Sequence, residues 1–162
     1  MWEATTATLL YLFIINLGIA CGAGLYEHRI VLSRWISSSE NSGSRWNAEA
    51  ARRDDTGRRF WAFVTTVPLT LLTLANLLVA WRASNPVRWW WVAAGLAALA
   101  DRALTFAYFI PTMVRLMGAA DSPASVAAAA RWGNLNYMRH AIVFAAWLAA
   151  LRAFALFSQQ RG

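Results

Sequence analysis

RWWWVAAGLAALADRALTFAYFIPTMVR, residues 88–115, is a long apolar run broken in its middle by the adjacent pair Asp101 and Arg102. About 20 mostly apolar residues suffice for a helix to cross a bilayer. A charge held at that depth costs roughly 2.5–3.5 kcal/mol on insertion scales. A chain that keeps two such charges there is expected to meet them with groups on other helices. Asp101 then reads as the floor of a polar cavity. Arg102, about 100° further round the helix, reads as turned to a second partner such as Glu27 or an amide.

Three further stretches match this one in length and character. Spans are expected at about residues 4–30, 60–81, 89–117 and 132–157, joined by short turns between the second and third and between the third and fourth. Short connections make neighbouring helices antiparallel. The expected fold is therefore all-α, a single integral membrane domain built as an up-down four-helix bundle. The composition agrees, with 59% apolar residues and ten tryptophans in 162 residues. Trp81, Trp89, Trp90 and Trp91, with Trp2, mark one membrane interface; Trp35, Trp46, Trp61 and Trp132 mark the other. Trp147 fits neither level and reads as packed within the bundle.

The net charge is +7 and every basic residue other than the two histidines is arginine. Most of these arginines lie between the spans, as membrane topology requires, so the charge gives no argument for nucleic acid as a partner. Seven arginines fall between Arg29 and Arg59. The positive-inside rule accordingly puts the 37–59 loop in the cytoplasm of a multi-pass protein of the cell membrane. In that loop SSSENSGS reads as a flexible polar tract. RWNAEAARRDDTGRR reads as a short interfacial helix, followed by Asp55 or Thr56 capping the second span. The single cysteine, Cys21, rules out paired-thiol redox chemistry within the chain.

A rise of 1.5 Å per residue converts position into depth. Glu27 and His28 on the first span, Tyr108 on the third and His140 on the fourth all fall roughly 10–13 Å below the arginine-rich end. Asp101, Thr105, Tyr108, Thr112 and Arg115 share one helical face by their spacing. Asn136 and His140 share another, with Arg139 beside them, and Asn16 and Asn76 add amides at greater depth. Together these residues are expected to line one polar pocket. Within it His140, His28, Asp101 and Tyr108 are the candidate catalytic groups; Glu27, Arg102, Arg115, Asn136 and Arg139 are the candidate substrate-binding groups. The histidines admit three readings. They are a general base, hydrogen-bonded structural groups, or, with Glu27, a two-histidine, one-carboxylate set for a single transition metal. A chemistry without any cofactor stays equally open. GIACG (18–22) spaces two glycines for close helix packing, within the bundle or in a homo-oligomer.

Four patches, GLYEHRIVLSRW (24–35), DDTGRRFWAF (54–63), YFIPTMVRL (108–116) and RWGNLNYMRH (131–140), resemble the anthrone-oxygenase-like family of small four-helix membrane proteins. The resemblance implies oxidation of a polycyclic aromatic anthrone to a quinone without an evident cofactor. It also implies His140 and Asn136 as site residues, with Tyr108 and Arg115 facing them. The expected function is thus a membrane oxygenase or other redox enzyme acting on a lipophilic aromatic or phenolic small molecule. The alternatives are a small-molecule or proton-coupled transporter working as a homodimer, and a non-catalytic membrane subunit.

Overall fold

The computed structural model describes residues 2–39 and 43–160. Four helices are long and apolar enough to cross a membrane: α1 (Thr5–Trp35), α3 (Gly57–Ala80), α4 (Val87–Gly118) and α5 (Pro123–Gln159). The protein is an all-α, multi-pass membrane bundle. Between α1 and α3 the chain forms a small hairpin, β1 (Ile36–Ser39) and β2 (Gly43–Trp46), then the short helix α2 (Ala48–Asp54). Residues 40–42 and the side chain of Trp2, both assigned roles above, lie outside what is described.

Two apolar clusters stack along the bundle. The one far from the loops contains Leu10, Phe13, Leu17, Leu69 and Trp91, with Ala94, Ala98, Ala146 and Ala150 where α4 and α5 meet. Alanine at those positions lets the two helices approach closely. The cluster near the loops contains Val31, Trp35, Trp46, Phe109, Leu116 and Trp132. The buried ionisable and amide groups Glu27, Asp101, Arg102, Asn136 and His140 lie between these clusters in sequence on every helix that supplies them.

The loops are more ordered than their composition suggests. The described ends of the serine-rich tract are paired strands rather than a free linker, joining Ile36 with Trp46 and Ser37 with Arg45. Asp121 holds it to the opposite turn, accepting from Trp46 N–H at 3.0 Å and Arg45 Nε at 3.0 Å. Those two bonds keep the Asp121 carboxyl below the usual carboxylate range. α2 is capped by Asn47, whose side chain accepts from Ala50 N–H. The expected cap of α3 is not made: Asp55 instead ends α2 in the left-handed region (φ 40°), and Thr56 makes no side-chain cap. The fourth helix starts at Pro123, earlier than expected, because Ser122 and Ser125 form a capping box ahead of an alanine run.

The tryptophans also depart from the simple belt. Trp81, Trp89 and Trp90 are exposed as interface anchors should be. Trp35, Trp46, Trp91 and Trp132 are buried and act as internal braces, donating to Asp54 Oδ2, the Leu116 carbonyl, Asn76 Oδ1 and the Phe109 carbonyl. An indole N–H taken out of water needs such an acceptor. Asn76 also donates to the Leu9 and Leu72 carbonyls, so it ties three helices together instead of lining a pocket.

Three helical segments are wound wider than an α-helix, with the amide bonding five residues back: Leu32 to Glu27, Val67 to Ala62 and Ile110 to Thr105. In α3 and α4 the wide segment stops two residues before a proline, Pro68 and Pro111. Proline has no N–H and crowds the carbonyl four residues back, so the turn before it opens. The carbonyl that Pro68 leaves without a helical partner is that of Val64, and Asn16 Nδ2 of α1 donates to it at 2.9 Å. Asn16→Leu should therefore cost about 1–3 kcal/mol, the penalty of an unsatisfied buried acceptor. Adding Pro68→Ala should recover part of that loss by supplying the missing amide. Thermal unfolding of the single and double variants checks the coupling; strictly additive losses would contradict it.

Candidate functional site

The three wide segments and α5 surround a cavity of about 520 Å³ near the loop end of the bundle. Its walls are largely apolar and aromatic, including Trp35, Trp61, Phe109, Met113, Met117 and Trp132. Its polar lining includes Glu27, Arg102, Thr105 and Arg139. Helices that wind wider at a common level are a recurrent mark of functional sites, because the extra residue re-aims neighbouring side chains.

Glu27 is 6% exposed. Its Oε1 accepts from Thr56 Oγ1 at 2.6 Å and from Trp61 Nε1 at 2.8 Å, both on the α2–α3 side of the cavity. Asp101 is wholly buried. It does not leave Arg102 free for Glu27, as expected from the sequence. Arg102 folds back on its neighbour, donating to Asp101 Oδ2 from Nε at 2.9 Å and also from Nη2. Arg139 approaches from α5, with Nε 3.9 Å from Asp101 Oδ1. Its guanidinium lies 4.7 Å from the Phe109 ring centroid and 5.9 Å from that of Trp61. Cation–π contacts of this kind hold a weakly hydrated guanidinium in apolar surroundings. Two carboxylates and two guanidiniums are thus gathered in one layer. The set is not saturated: Arg102 Nη1, Arg139 Nε and Asp101 Oδ1 are buried without hydrogen-bond partners. Buried polar atoms are nearly always paired, so two unpaired guanidinium nitrogens on residues that line the cavity mark a place where a polar ligand group fits.

The two histidines meet each other but do not line this cavity. His28 and His140 have ring centroids 6.3 Å apart, edge to face, and His28 packs on Tyr137 with centroids 3.7 Å apart. His140 lies against Gly24, where any Cβ would collide with the imidazole. Among the described residues no three His, Cys, Asp or Glu side chains are grouped to hold a metal ion. Glu27 is directed to Thr56 and Trp61, so the proposed set of His28, His140 and Glu27 is not assembled. Asn136 is buried near His140 on α5, with its Oδ1 unpaired. Gly24→Ala should overpack this contact and cost about 1–3 kcal/mol. Combining it with His140→Ala should relieve most of that loss in an unfolding assay; no relief would show that Gly24 matters for another reason.

Tyr108 and Arg115 do not join the other residues of the α4 stripe. The wide turn at Thr105–Phe109 shifts the helical register, so Phe109 and Leu116 take the buried face that regular spacing gives to Tyr108 and Arg115. Tyr108 and Arg115 line a separate hollow against the start of α5. Asp101, Thr105 and Thr112 keep their expected buried positions. Phe109 and the two methionines of the cavity went unrecognised in the sequence, and Thr56 and Trp61 were read only as a helix cap and an interface marker. Pro68 and Pro111, at matching places in two spans, were the signal that could have found them.

Comparison with family models, with curated proteins and with solved structures gives no significant match to this chain.

Proposed function

We propose that this chain is a membrane-embedded enzyme that takes a planar, lipophilic phenolic or anthrone-like molecule into the cavity and ionises it there, opening it to oxidation by dioxygen. The observation that carries the reading is the meeting of an aromatic cavity with a carboxylate and two incompletely paired guanidiniums. The aromatic walls suit a flat ring system. The Glu27 carboxylate suits removal of a weakly acidic proton, and Arg102 and Arg139 suit the oxyanion that results. This gives Glu27, expected from the sequence as a substrate-binding group, the role of base that had been expected of a histidine.

Access from the bilayer follows from the same geometry. α3 and α4 pack on each other through Val67–Ala80 and Val87–Leu104. Nearer the loops the cavity lies between them, and its wall includes Ile110 and Val114, both exposed on the outer side of α4. A lipid-dissolved molecule reaches the site through that gap. By the positive-inside rule, the arginine-rich loop supports a cavity toward the cytoplasmic half of the membrane.

For an anthrone the reaction balances with dioxygen as the only co-reactant. The ring methylene loses a proton to Glu27, and dioxygen adds to the carbanion carbon. The peroxide regains the proton, and loss of water leaves the quinone carbonyl. The test is oxygen uptake and quinone absorbance for the protein in nanodiscs supplied with an anthrone. One dioxygen consumed per quinone formed, well above the spontaneous rate, is the expected result. A rate no greater than that of empty nanodiscs would overturn the reading.

A further inference from the structure

We infer that the hollow between the end of α4 and the start of α5 binds one anionic phospholipid, its phosphate held by Arg115 and Arg131. This site is separate from the aromatic cavity and does not depend on what that cavity does.

The hollow has a volume of about 670 Å³ and contains two arginines and no acidic residue in its lining. Arg115 makes only a 3.3 Å hydrogen bond to Thr112 Oγ1, and neither arginine is ion-paired among the described residues. Both are exposed. Their level in the membrane can be read from the helices. Arg115 lies about 40 Å along α4 from Arg88 at the opposite end, which is the span of a bilayer including its headgroups. Arg131, across the same hollow, reaches that headgroup level from α5. Two guanidiniums lining one hollow there match a phosphodiester, which each can grip through two N–H groups. Ser122 and Thr112 add hydroxyls to the lining. Tyr108, about two turns deeper than Arg115 on α4, gives the lining an apolar face for the start of an acyl chain. Basic pockets between helices on the cytoplasmic side are a recognised form of lipid site.

Arginines elsewhere at this interface also attract anionic lipid without selecting it, so the test must separate a built site from general charge. Purified protein in detergent is mixed with phosphatidylglycerol, with phosphatidylcholine, or with inorganic phosphate, and bound molecules are counted by native mass spectrometry. One phosphatidylglycerol per chain should persist, with phosphatidylcholine retained far less. Arg115→Gln/Arg131→Gln should weaken retention by about thirty-fold, the product of two surface charges. Arg34→Gln/Arg53→Gln, which removes equal charge elsewhere, should change it little. Ala128→Phe keeps the charges but fills the hollow beside Arg131, and should also release the lipid; the thermal unfolding of each variant without lipid shows that it is folded. Equal loss in the two double-arginine variants would overturn the site, as would equal retention of the two lipids. Displacement of the lipid by millimolar inorganic phosphate would overturn the lipid assignment in favour of a free phosphate ligand.

Discussion

Asp101→Ala is expected to destabilise the protein by about 3–5 kcal/mol, the cost of leaving buried charge uncompensated. The reason is specific to this layer. Asp101 is wholly buried and faces Arg102 through two hydrogen bonds and Arg139 at 3.9 Å. Removing the carboxylate leaves two guanidiniums in an apolar bundle with Thr105, aromatic faces and the single carboxylate of Glu27, itself engaged by Thr56 and Trp61, for company. The charges themselves are a poor source of stability, because desolvation offsets most of their attraction. Asp101→Leu/Arg102→Leu/Arg139→Met should therefore regain much of the loss while abolishing ligand binding. Unfolding in a mixed detergent titration measures both. A loss below about 1 kcal/mol for Asp101→Ala would be that of an exposed pair and would contradict the buried cluster.

The second large effect is on turnover. Glu27→Gln should lower the rate of quinone formation by about 10²–10⁴-fold, the usual worth of a positioned base. The fold should survive, since the amide oxygen still accepts from Thr56 and Trp61. KM should move little, because the walls that hold the rings are unchanged. His28→Ala and His140→Ala, outside the cavity, should leave the rate near that of the parent. A fall in His140→Ala as deep as in Glu27→Gln would return the role of base to the histidines.

The four spans were legible because a bilayer asks for length and apolarity, which composition reports directly. The polar layer was legible too: Glu27, Asp101, Arg102, Asn136, Arg139 and His140 are each expensive in lipid and stand out for that reason. What the sequence could not show was the division of that layer into a charged cavity and a histidine pair. Depth follows from residue count, but direction depends on helical register, and register changes wherever the helix widens. At Thr105–Phe109 that change exchanges Tyr108 for Phe109 on the buried face. Partner choice was equally hidden, since Arg102 takes its sequence neighbour by a side-chain turn that no periodicity records. The hairpin was missed because its strands are short and rich in serine, and it is held by Asp121 from a distant turn.

The central claim is that Glu27, Arg102 and Arg139 together bind and ionise a lipophilic acid within the bundle. The most direct measurement is the absorption spectrum of 2-naphthol bound to the protein in nanodiscs near neutral pH. A naphtholate band should appear with the parent protein, persist in His28→Ala and His140→Ala, and disappear in Glu27→Gln and Arg139→Gln. Naphthol that stays un-ionised in the parent, or a band indifferent to Glu27 and Arg139, would contradict the account.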